Sequence, residues 1–169
     1  MFGSAGMTID DFALARAVHV LALVHWIGGV AMVTTIVLPR ARALPDARAA
    51  LAAFEMFEGR FAAQVRFSIL LAGLSGFYML DKLQAWARLL DPAFWWLALM
   101  LAVWAVFALM VFVLEPLLVH RLFHDYALRD KDRAFVLAIQ LHAVALAVSA
   151  VAIAAGVLGA HGALRCGGF

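Results

Sequence analysis

Four long apolar stretches constrain this chain more than anything else in it: Phe12–Leu38, Phe61–Leu80, Ala93–Val119 and Ala134–Ala160. Each reaches the roughly 20 residues that an α-helix needs to cross a bilayer. Lipid offers backbone N–H and C=O groups no partner, so a spanning segment must satisfy them internally as a helix or a closed barrel. A barrel needs short strands of alternating polarity, and the chain contains none. The expectation is all-α, an integral membrane four-helix bundle, in a single domain over residues 1–169. Composition agrees: 67% of residues are hydrophobic and 14% charged, far from the roughly 45–50% apolar share of soluble domains.

Asp10 and Asp11 stand where a signal peptide would carry basic residues, and the apolar stretch behind them is too long for one. The first span is therefore expected to stay in the mature protein. Cys166 is the one cysteine, so neither an internal disulfide nor a cysteine-based metal site is expected. The isoelectric point near 9.1 is read as membrane topology rather than as a nucleic-acid surface. Arg40, Arg42, Arg48 and Arg60 fall between the first two spans, and Arg121, Arg129, Lys131 and Arg133 between the last two. Only Arg16, Lys82, Arg88 and Arg165 fall on the other side. Basic residues concentrate in cytoplasmic loops, which predicts periplasmic N and C termini in a bacterial inner membrane. Trp86, Trp95 and Trp96 then belong to the outer interface, where amphipathic rings collect. The helix formers from Asp46 to Glu58 extend the second helix into the cytoplasm, and Arg129–Arg133 forms a charged turn before the fourth.

Histidines inside the spans are the candidates for chemistry. Ionisable groups are costly in lipid and usually functional there, and imidazole is the commonest metal-ligating side chain. His19, His25, Trp26 and Gly29 share one side of the first helix at 100° per residue, with His25 near mid-membrane and His19 nearer the outer surface. His142 shares a face with Ala138, Ala145, Ser149, Ala152 and Gly156, a small-residue stripe of the kind that packs helices in lipid. That stripe aims His142 into the bundle. His142 can instead be satisfied by a neighbouring carbonyl, and the face of the first helix can instead serve ordinary helix packing. Arg66 either snorkels to the surface or grips an anion such as a haem propionate. Glu115, just before Pro116, is an available ion-pair partner for it. His120 and His124 are spaced i, i+4, a ligand-compatible interval. His161 is a weaker outer candidate.

His19, Trp26 seven positions later, Gly28-Gly29 and the following Leu38-Pro39-Arg40 resemble the opening helix of the CopD-type copper-resistance membrane proteins and the related HemJ-type protoporphyrinogen oxidases. The likeness extends loosely through Arg60–Arg66 and Gly73–Gly76; His25 and His142 stand outside it. The resemblance implies a bacterial inner-membrane helical bundle. Its HemJ-like branch implies haem b bound through His19, and its CopD-like branch implies copper handling. The methionines are scattered, without the thioether cluster that copper(I) selects. The expected function is haem b binding in electron transfer, from a membrane donor such as quinol to a partner redox protein or small oxidant. His19, His25 and His142 are the candidate ligands and Arg66 the candidate propionate contact. Alternatives are copper transport or delivery, a structural subunit of a respiratory complex (or a homo-oligomer), and porphyrinogen oxidation.

Overall fold

In the computed structural model, which describes residues 10–164, the chain is helical throughout its long elements. Arg165 and Cys166 lie outside the described residues. Four helices are long and apolar enough to cross a membrane: α1 (Asp11–Arg42), α2 (Ala47–Lys82), α3 (Pro92–Arg129) and α4 (Lys131–Ala160). That is the arrangement of a multi-pass protein in a lipid bilayer. Each begins on an aspartate. Asp10, Asp46, Asp91 and Asp130 accept the backbone N–H of Phe12, Ala49, Ala93 and Arg133 respectively. Such a side chain satisfies one of the orphan donors of a helix start. Pro92 in the first turn of α3 has no N–H to orphan.

The helices run on past the apolar stretches. α2 extends from Ala47, as the helix formers after Asp46 predict. At 36 residues it is about 54 Å long, against a hydrocarbon core of about 30 Å. α3 continues to Arg129 through a polar segment that hydropathy does not mark. The charged turn before α4 shrinks to one non-helical residue, Asp130. Two π-helical segments interrupt the α-geometry. Val33–Val37 lies in α1, where Thr34 and Thr35 donate their hydroxyls to Val30 and Ala31 carbonyls. Met110–Val119 lies in α3 and contains Pro116.

Consecutive helices pack as neighbours, and α4 closes back onto α1. Small residues set these contacts. A Cβ on Gly73 would stand 2.5 Å from the Trp104 ring, so α3 approaches α2 only because Gly73 has no side chain. Gly156 receives Met100 and Gly159 receives Trp96 in the same way. The predicted stripe on α4 is a packing surface: Ser149, Ala152 and Gly156 are buried. Trp104 Nε1 donates to the Ile69 carbonyl at 2.9 Å. At one end, Asp11 accepts from Lys82 at 2.6 Å and from Tyr78 at 2.7 Å, tying the start of α1 to the close of α2.

The opposite end carries a dense apolar core. Leu38, Ala50, Ala127 and Phe135 are fully buried there, with Leu51, Ala41 and Ala134 around them. Phe54, Phe123 and Phe135 form a triangle of tilted and edge-on rings, with centroids 5.3–6.4 Å apart. These residues lie largely in the helix extensions, where water rather than lipid competes and burying apolar surface stabilises.

Candidate functional site

His19 and His25 both lean on α2. His19 Nδ1 is 2.9 Å from the Ala72 carbonyl and 3.1 Å from Ser75 Oγ. A carbonyl only accepts, so Nδ1 carries the proton. Gly76 makes room: a Cβ there would stand 3.3 Å from His19 Cε1. His25 Nδ1 is 2.7 Å from Ser68 Oγ. The Ser68 hydroxyl also lies 3.1 Å from the Gln64 carbonyl. Toward His25, Ser68 Oγ accepts from Nδ1 in one tautomer of the ring and donates to it in the other. His142 Nδ1 donates to the Ala138 carbonyl of its own helix at 2.8 Å. The carbonyl bonds thus assign the Nδ1–H tautomer to His19 and His142 and leave their Nε2 with its lone pair. Metal-ligating histidines are held in this way, one ring nitrogen donating to the protein while the other binds.

The three rings do not meet. His19 and His25 are six residues apart on α1, about 9 Å along its axis. Arg42 pairs with Asp132 at 3.2 Å, fixing the antiparallel register of α1 and α4. Ten residues on from Asp132, His142 comes level with Met32, about 10 Å in depth from His25. His19 and His142 are half-buried and His25 is exposed at the bundle surface. Trp26 is 2% exposed and meets Phe107 edge-on at 4.7 Å. Its Nε1 is buried and has no hydrogen-bond partner among the described residues. His161 donates to its own Val157 carbonyl at an exposed position.

Arg66 reaches α3. Its guanidinium holds Glu115 at 2.7 Å and donates through Nε to the Val111 carbonyl at 3.4 Å. The second contact follows from the π-helical segment. In an i→i+5 pattern the Val111 carbonyl looks to the N–H of residue 116, which is a proline and has none. Arg66 supplies the missing donor. The ion pair with Glu115 is the pairing the sequence offers, and it occupies the guanidinium expected to meet a propionate.

The π-helical turn also assembles a group that helical-wheel arithmetic hides. Glu115 and His120 would stand about 140° apart on an α-helix at 100° per residue. Here the His120 N–H bonds the Glu115 carbonyl, an i→i+5 closure that turns both side chains toward α2. His120 Nδ1 is 3.5 Å from Glu58 Oε2. Ligand atoms of Glu58, Glu115 and His120 all lie within 4.8 Å of one another. They line a recess of about 320 Å³ together with Glu55 and Arg66. His124, the expected i+4 partner of His120, stands instead beside Asp125 at 3.8 Å. No family model matches this chain, and no curated protein or solved structure matches it either.

Proposed function

We propose that this protein binds haem b in a bacterial inner membrane, with both termini periplasmic, and passes electrons from a membrane donor such as quinol to a redox partner. The observation that carries the reading is the anchoring of His19, His25 and His142, each with Nδ1 bound to a protein oxygen. The rings fit haem one at a time rather than as a pair. Ser68 and the Ala72 carbonyl fix two rings from the facing helix, and small residues flank them. Beside His25 in sequence, the unpaired Trp26 N–H adds support. Leaving such a buried donor unsatisfied costs about 1–3 kcal/mol, and an acceptor on a bound group would recover it.

When bound, haem supplies reversible one-electron chemistry within the bilayer. The chain's own residues orient the imidazoles, exclude water through the Trp26, Phe107 and Val30 packing, and keep Arg66 and Glu115 neutral as a pair. Arg66 serves a propionate only by releasing Glu115. Replacing His19, His25 and His142 together with alanine is expected to reduce haem in the purified protein to background, measured as pyridine haemochrome. Unchanged haem content rules the reading out.

A second reading, a structural subunit of a membrane complex, draws on α3. Its most apolar window contains no residue buried within the chain. Co-purification with partners and little cofactor in the isolated chain would favour it.

A further inference from the structure

We propose that Glu58, Glu115 and His120 form a binding site for a divalent transition-metal ion, separate from the span histidines and at the edge of the apolar stretches. Glu58 comes three residues before the apolar part of α2, His120 directly follows that of α3, and Glu115 lies four residues before its end, so the site sits where the apolar stretches stop. It draws its ligands from two helices. The long α2 extension delivers Glu58, and the π-helical turn of α3 delivers Glu115 and His120 together.

The geometry is close to what an ion needs. Zinc binds imidazole and carboxylate at about 2.0–2.2 Å, which sets neighbouring ligand atoms about 3.3–3.5 Å apart in a tetrahedron. The His120–Glu58 separation, 3.5 Å, already has that value. No separation in the group exceeds 4.8 Å, and the group closes on an ion with shifts of about 1 Å or less per ligand atom. Glu58 and Glu115 side chains are 22% and 24% exposed and His120 48%, so the ligands are held yet reachable.

Charge and support favour a cation too. Glu55, Glu58 and Glu115 face the recess against the single guanidinium of Arg66, three carboxyl groups to one fixed cation. Arg66 holds Glu115 through Oε2. A carboxylate has two oxygens, so Oε1 is left for the ion, and the Arg66 bond orients the ligand as outer partners of metal sites do. Three protein ligands leave coordination positions open toward the recess, with Glu55, one turn before Glu58, at its rim. The imidazole selects zinc, iron, nickel or copper over magnesium and calcium, which prefer oxygen alone.

The test is zinc titration of the full-length chain, purified in detergent without a polyhistidine tag and stripped with chelator, read by competition with a fluorescent zinc indicator. One equivalent is expected to bind. Glu58→Gln and His120→Ala are each expected to weaken binding at least tenfold, His124→Ala less than twofold, and excess magnesium should not compete. Helical circular dichroism and melting of the Glu58→Gln protein should match the parent, because the amide keeps the shape of the carboxylate. Absence of stoichiometric binding, or binding unchanged in both ligand variants, overturns the proposal. A haem-free preparation serves equally well, since none of the span histidines takes part.

Discussion

Ser68→Ala is expected to weaken haem binding by about 10–100-fold, the usual cost of losing an outer partner of a ligating histidine, although serine 68 itself touches no haem. The bond between His25 Nδ1 and Ser68 Oγ, at 2.7 Å, fixes the ring orientation. Ser68 is buried, and its hydroxyl is held between His25 Nδ1 and the Gln64 carbonyl. Without it, the imidazole is free to rotate, and Nε2 is no longer presented. His25→Ala should go further and remove haem altogether, while His142→Ala should retain it. His142 is anchored on its own helix, about 10 Å away in depth. Haem titration of the apo-proteins separates these outcomes. Full affinity in Ser68→Ala together with loss in His142→Ala would reverse the assignment of the ligand.

Phe135→Ala should cost about 3–5 kcal/mol of stability, the range for truncating a buried phenylalanine. Its ring is fully buried and contacts Phe54 and Phe123 edge-on, where the extensions of α2 and α3 meet the start of α4. Removing it leaves a cavity at the junction of three helices. Leu141→Ala, six residues further along α4 and 60% exposed, is expected to change stability by less than about 0.5 kcal/mol. The contrast arises because lipid tails are as apolar as leucine, so exposure to them costs little. Denaturant unfolding of the two variants in the same detergent measures it. Equal destabilisation would mean that the apolar core at this end does not hold the helices together.

Hydropathy made the four spans legible, because a lipid-crossing helix must be apolar along its whole length. The extension of α2 was legible in the helix formers after Asp46. The extension of α3 was not: His120–Arg129 is amphipathic, with Phe123 and Ala127 one turn apart facing the core and polar residues outside. A hydropathy window averages that pattern away. The Arg66–Glu115 pair was foreseeable from two opposite charges in facing spans. The serine and carbonyl partners of His25 and His19 were not, since nothing local in α1 encodes the register against α2. The Glu58, Glu115 and His120 group was hidden for a different reason. Periodicity of 3.6 separates Glu115 from His120, and only Pro116 hinted that the helix departs from it.

The most direct measurement is an absorption spectrum of the protein, expressed with ample haem supply and purified in detergent, oxidised and then reduced with dithionite. The account predicts a Soret band and sharp reduced α and β bands, with a pyridine haemochrome of the b type. A featureless visible region would contradict it and transfer the histidines of α1 and α4 to a purely structural role or to copper.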